Sequence, residues 1–376
     1  MSDSTPRVLS GAASILLDSL RLGAALIVFY RHALVMWYPA MAHPIGQPGD
    51  IAHAAVVVFF VLSGYVIAHT TAGNNRGPLQ YAQARLSRLC SVVLPALVFT
   101  AVIQVLLLWL SPALVAEYSR GLAWPRYLLT AGFLNEVWFL SAAPPLNEAL
   151  WSLSFEFWYY VIFGLWFYRR AGFRGLLLPA CACLIAGPKI LVMMPVWLVG
   201  VVAYRLPRPQ LPALTAWLLV AGSLCAAGAM VVYLLPLPYG LGRVPWFFAS
   251  QFLTDWVVGL CMAVALWMLP SPRSSKAAPK WIGQFRQVAD LTFPIYVLHF
   301  PLLVLWRALF AQHLYDATQL AQALGTVLIL AAIIGVLLEK QRTVWVRFFQ
   351  GLLQHQQRKI YLKRLALQLE LSPKIQ

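Results

Sequence analysis

Charge is scarce in this sequence: Asp, Glu, Lys and Arg make up 11% of the 376 residues, and only 12 of them are acidic. A soluble domain carries about 25% charged residues, so a water-facing surface over most of the chain is excluded. Cysteine is sparse too. Of the five, Cys181, Cys183, Cys225 and Cys261 lie in apolar runs and Cys90 stands at the edge of one. The odd count and the absence of metal-ligand spacing exclude a disulfide framework or a cysteine-held metal, and no metal site is expected. No internal repeat or low-complexity stretch is present, which removes solenoids and extended linkers. What remains is apolar: 61% hydrophobic residues, with 15 Trp and 15 Tyr, enough for two interfacial belts.

Ten membrane-spanning stretches can be drawn between turn and charge signals, at about 15–38, 51–71, 90–111, 148–168, 174–187, 190–204, 211–235, 247–269, 291–312 and 318–338. The fifth and sixth are short and joined by Gly187-Pro188-Lys189, as in a hairpin that only just crosses. Alternating the spans from an inner N-terminus puts only Arg120, Arg126, Lys189 and Arg243 outside, with Arg21, Arg31 and Arg307 in the membrane. The other 21 of the 28 Lys and Arg then fall inside, which predicts both termini in the cytoplasm. The net charge of +16 is thus topology and lipid-headgroup contact, and no nucleic-acid partner is expected. Ala40-Met41-Ala42 resembles a signal cleavage site, but Arg21, Arg31 and His32 interrupt the long run before it, so no cleavage is expected. The fold class predicted is all-α, a polytopic membrane protein with about ten transmembrane helices.

Two stretches fall outside the spans. Residues 112–147 predict an interfacial or re-entrant helix on the outer side, because a full span there would invert everything downstream. Residues 340–376 carry Trp345, Phe348, Phe349, Leu352 and Leu353 at helical spacing among basic residues. They predict a cytoplasmic amphipathic tail on the inner leaflet, after a membrane domain over 1–339.

The first span holds Arg21 and His32, eleven residues and about three turns apart, so they share one face with roughly 16 Å between them. A guanidinium in a bilayer costs at least about 2.5–3.5 kcal/mol and is normally kept where it works or has a partner. Either Asp18 pairs with Arg21 at i, i+3 and the face is an anchor, or Arg21 holds an anionic cofactor from the cytoplasm and His32 acts as general base or transient nucleophile. Arg31 points about 100° away and reads as an outward anchor. Ser63-Gly64 in the second span permits close helix approach and supplies a hydroxyl. Arg85 and Arg88, in the loop that follows, share a face and can grip phosphate or serve only as inner-side charge. Glu156 should lie roughly 12 Å below the outer edge and His32 some 9 Å below it, so the carboxylate is expected to orient the imidazole. His299, with Tyr296 at i−3, is a second proton handler or a structural hydrogen-bonder. His43, His53, His69, His313 and His355 sit in loops or at interfaces and are given no role.

Together the stretches Arg21–His32, Phe59–Gly64, Arg85-x-x-Arg88, Leu150–Glu156 with the aromatics after it, and Tyr296-x-x-His299-x-Pro301 resemble the acyltransferase-3 family of bacterial integral membrane acyltransferases. They span about 280 residues in the family's order. The resemblance implies an O-acyltransferase of the bacterial inner membrane. It would take an acyl group, acetyl by default, from cytoplasmic acyl-CoA to a hydroxyl of an extracytoplasmic or lipid-linked glycan. The partners implied are acyl-CoA as donor substrate with no permanent cofactor, a glycan or glycosylated acceptor, and membrane lipid. It further implies donor contact by Arg21, Arg85 and Arg88 and transfer centred on His32 with Glu156, with Ser63, Tyr296 and His299 as accessories. Many members carry a second Glu where this chain has Phe157, so a paired-carboxylate mechanism is not expected. Some carry a soluble esterase-like domain after the helices. The sequence ends before one could follow, so the membrane domain or a separate partner is expected to complete the transfer. The alternative use of the same residues is a proton relay in a transporter or lipid-linked glycan carrier.

Overall fold

The structure is a computed structural model that describes residues 11–42, 48–73, 77–270 and 280–370. His43 lies outside the described residues, as do Arg7, Arg76, Arg273, Lys276 and Lys374 of the Lys and Arg expected on the inner side. In chain order the helices are α1 (Ala12–Trp37), α2 (Ile51–Gly73), α3 (Pro78–Leu110), α4 (Pro112–Tyr118), α5 (Ala123–Ala131), α6 (Trp151–Phe167) and α7 (Leu177–Ala186). They continue as α8 (Pro188–Arg205), α9 (Ala213–Tyr233), α10 (Phe252–Trp267), α11 (Lys280–Asp290), α12 (Thr292–Leu309) and α13 (Ala317–Glu370). No strand occurs among the described residues. Helices are the natural choice where lipid offers no hydrogen bonds to the backbone.

Among the described residues seven helices are long and apolar enough to cross a membrane: α1, α2, α3, α8, α9, α12 and α13. The spans expected at 148–168, 174–187 and 247–269 are occupied by the shorter helices α6, α7 and α10. The protein is an α-helical polytopic membrane protein. Within the apolar windows of the crossing helices, 72% of α12 is buried but only 17% of α9. So α12 is a core helix, and α9 turns most of its surface to lipid. α1 packs on both α2 and α12, and so joins the α2–α8–α10 group to the α3–α12–α13 group.

The contact of α2 with α8 is backbone on backbone. A Cβ on Gly64 would lie 2.0 Å from the Trp197 carbonyl oxygen, and one on Gly200 would lie 2.0 Å from that of Val61. The small residue after Ser63 is therefore required by helix approach, the use small residues commonly have in membranes.

Several local expectations change. α3 starts at Pro78, well before the span drawn at 90–111, so Arg85 and Arg88 sit on a helix and not in a loop. Proline at N1 followed by good helix formers explains the early start. Residues 112–147 form two short helices, α4 and α5, and then an irregular stretch. Neither helix is long enough to span. The stretch is clasped to the α7–α8 tip: Trp138 N–H donates to Ala186 O at 3.0 Å, and the fully buried Lys189 ammonium donates to Glu136 and to the Leu140 carbonyl. The tail does not begin a new helix. α13 runs unbroken for 54 residues, because the residues across the expected boundary, Leu338 to Arg342, are good helix formers. Arg31 reaches the outer end of α1 but stays in protein. It is buried and donates to the Met41 carbonyl at 2.9 Å, closing the turn after α1.

Candidate active site

The start of α6 is pinned from three sides. Asn147 donates to Thr100 Oγ1 at 3.2 Å and to the Val297 carbonyl at 2.8 Å, tying it to α3 and α12. One turn further in, the Phe133 carbonyl accepts from Ser154 Oγ at 2.8 Å and Trp158 Nε1 at 3.0 Å, so the outer connection holds the opposite face. Glu156 and Tyr160, one turn apart, then share a face that meets α2. Glu156 Oε1 accepts from Ser63 Oγ at 2.7 Å and also from the Tyr160 hydroxyl. Ser63 Oγ lies 3.0 Å from the same phenol and accepts from Trp197 Nε1 at 3.2 Å. One carboxylate oxygen is thus fixed by three helices, and the other carries no hydrogen bond.

That face borders a cleft of about 80 Å³, lined by Arg21, Arg85 and Arg88 as well as Ser63, Glu156, Tyr160 and Tyr296. The three guanidinium groups are under-partnered. Among the described residues none forms an ion pair within 4 Å, and Asp18 does not pair with Arg21. Arg85 makes one long 3.4 Å contact to Thr70 Oγ1 and sits 5.9 Å from the ring centres of Tyr81 and Tyr160, with its Nε buried and unpartnered. Three cations against one carboxylate, within a membrane helix bundle, make a site that favours an anion.

His32 is not among the residues lining this cleft. Its Nδ1 lies 2.8 Å from His299 Nε2, and the two rings stack nearly parallel, 5.1 Å apart. His299 is fully buried, and its Nδ1 points at the Ile295 carbonyl 3.3 Å away. A carbonyl can only accept, so His299 carries its proton on Nδ1 and accepts at Nε2 from His32 Nδ1–H. The hydrogen-bond network thereby assigns the tautomers. His32 Nε2 is left with a free lone pair and no partner. Tyr296 connects the halves: it lines the cleft, its ring lies 6.0 Å from that of His299, and its hydroxyl touches Ser152 Oγ at 2.8 Å.

The sequence-predicted residues therefore fall into two groups. Arg21, Arg85, Arg88, Ser63, Glu156 and Tyr296 share the cleft, and His32 with His299 stands beyond it. The expected pairing of His32 with Glu156 is replaced by His32–His299, because α12 packs directly on α1 and presents its imidazole first. Sequence reasoning missed Tyr160, which the i, i+4 spacing from Glu156 could have revealed, and Trp197, which nothing local marks. It also gave no role to His53, which is buried 2.9 Å from Asp255 and stacked on Trp151.

A family model described as an acyltransferase domain matches residues 15–338. The chain belongs to this acyltransferase-3 family. No curated protein and no solved structure matches it. The matched region runs from the first turn of α1 into α13 and contains all eight residues of the two groups. In this membrane acyltransferase the cleft and the histidine pair adjoin across Tyr296.

Proposed function

We propose that this acyltransferase takes an acyl group, acetyl by default, from acyl-CoA on the cytoplasmic side of the bacterial inner membrane. It delivers the group to a hydroxyl of an extracytoplasmic or lipid-linked glycan. The observation that carries the reading is the cleft with three guanidinium groups against the single carboxylate of Glu156, and no ion pair to any of the three among the described residues. A donor with phosphates at one end and a thioester arm at the other supplies the missing negative charge. Arginine suits phosphate because its planar fork can donate two parallel hydrogen bonds.

The arm lies past Glu156 toward Tyr296, with the thioester near the histidine pair. An acceptor hydroxyl approaching His32 loses its proton to Nε2 as its oxygen attacks the carbonyl carbon. The carbon–sulfur bond then breaks, and the thiolate recovers the proton from the imidazolium. His299 acts as a positioning residue that keeps the basic lone pair on Nε2, the orienting role a carboxylate has in a triad. General-base help contributes about 10²–10⁴-fold.

Purified protein with labelled acetyl-CoA tests the reading. His32→Ala should lower transfer by about that factor while leaving acetyl-CoA bound, and Arg85→Ala/Arg88→Ala should abolish binding. Near wild-type transfer by His32→Ala overturns the role of the imidazole. Failure of the wild type to bind acetyl-CoA would favour the carrier reading of the same residues.

A further inference from the structure

A donor whose phosphates meet Arg21, Arg85 and Arg88 needs room for its adenosine end beside these arginines, at the inner mouth of the cleft. Two cavities share Arg85 with the cleft. One, of about 910 Å³ between α3 and α6, sets Leu86, Leu89, Val161 and Leu165 beside Arg169, Arg170 and Arg174. The other shares Tyr81, Arg85 and Tyr168 with it and adds Arg342 from α13. It measures about 430 Å³, lies where the inner ends of α2 and α3 meet α13, and is lined by Thr70, Gln80, Tyr81, Arg85, Tyr168 and Arg342 among others. Its lining holds two guanidinium groups, several amides and hydroxyls, and no carboxylate among the described residues. The Tyr81 and Tyr168 rings stand 5.7 Å apart at 57°, giving aromatic surface against which a base can stack.

The wall that completes this pocket comes from the part of α13 beyond the membrane. Gln83 Nε2 donates to the Val346 carbonyl at 3.1 Å and seats the helix there. Arg342, one turn earlier, faces the same space. Its one ion pair is with Glu339, at 3.8 Å and with both side chains substantially exposed, so it is weak and open to exchange.

We propose that this pocket is the nucleotide compartment of the donor site, with Arg342 and Arg85 binding the phosphates of a nucleotide thioester and the tyrosine pair receiving its base. The assignment rests on the acyl-CoA reading and deepens it. It also gives the extension of the last helix a part in substrate binding.

The test measures binding of acetyl-CoA and of S-acetyl-pantetheine, which lacks phosphates and nucleotide, to the full chain in discs of zwitterionic lipid. Arg342→Ala is expected to weaken acetyl-CoA about tenfold or more, the scale of one charge-assisted hydrogen bond, without weakening S-acetyl-pantetheine. Glu339→Gln, which frees Arg342, should tighten acetyl-CoA. Unchanged acetyl-CoA affinity in Arg342→Ala, or equal losses for both ligands, overturns the assignment. So does an effect that appears only in discs containing anionic lipid, which would make the pocket a lipid-phosphate site. If the wild type binds no acetyl-CoA, the donor reading falls and this compartment with it; a loss confined to Arg342→Ala leaves that reading intact and supports the assignment.

Discussion

Adding one methyl group at Gly64 should impair the site without touching any residue that lines it. The new Cβ would stand 2.0 Å from the Trp197 carbonyl oxygen, whereas real Cβ contacts essentially never fall below 3.0 Å. The obstacle is backbone on both sides, so no side chain can rotate away, and α2 must withdraw from α8 by about 1 Å. The bond from Trp197 Nε1 to Ser63 Oγ is already 3.2 Å long, and that movement takes it out of hydrogen-bond range. Ser63 then loses one of the contacts that aim its hydroxyl at Glu156. A 1 Å misplacement near a reacting centre can cost about 10²-fold in rate, and overpacking typically costs about 1–3 kcal/mol of stability. Gly64→Ala should therefore lower acyl transfer about 10²-fold, with a modest fall in melting temperature of the purified protein. Gly200→Ala acts on the same interface, 2.0 Å from Val61 O, so the double variant should lose less than the product of the single losses. Wild-type turnover in Gly64→Ala would refute the claim that this approach positions Ser63 and Glu156.

The remaining predictions concern single side chains. His299→Phe keeps a ring in place but removes the acceptor that fixes the His32 tautomer. Transfer should fall about 10²–10⁴-fold, close to the loss of the base itself, with acetyl-CoA affinity held. Tyr160→Phe removes one of the two donors to Glu156 Oε1 and should slow transfer about tenfold or more, read as initial rate at saturating donor. Lys189→Met leaves Glu136 buried without its cation and should cost about 3–5 kcal/mol in thermal unfolding. Glu136→Gln/Lys189→Met should recover most of that loss, since neither buried charge is then left alone.

Local pattern made the helices legible, and the reasons for each miss are physical. The shared face of Arg21 and His32 followed from helical period alone, and so did the common face of Arg85 and Arg88. Their helix starts at Pro78, in polar sequence ahead of the apolar run that marks the span, because proline at the first helical position opens it there. Depth could be read for Glu156 and His32, but depth is one coordinate of three. Which helix stands beside α1 is set by packing across the whole bundle, and α12 brings His299 where Glu156 was expected. The Glu136–Lys189 pair joins an irregular stretch to a helix start 53 positions away, a separation at which no periodicity speaks. The amphipathic stretch after Lys340 continues α13 without a break, because good helix formers cross that point.

The shortage of negative charge around Arg21, Arg85 and Arg88 makes occupancy a matter of structural integrity. An anion that enters the cleft removes repulsion among three guanidinium groups, so it acts as a missing part of the fold as well as a reactant. By mass action, a ligand present at a hundred times its Kd and binding only the folded state adds about 2.7 kcal/mol. That is a large share of what a marginally stable protein has to spare. The lifetime of the folded protein would then rise and fall with the supply of its donor, and a starved cell would keep less of it.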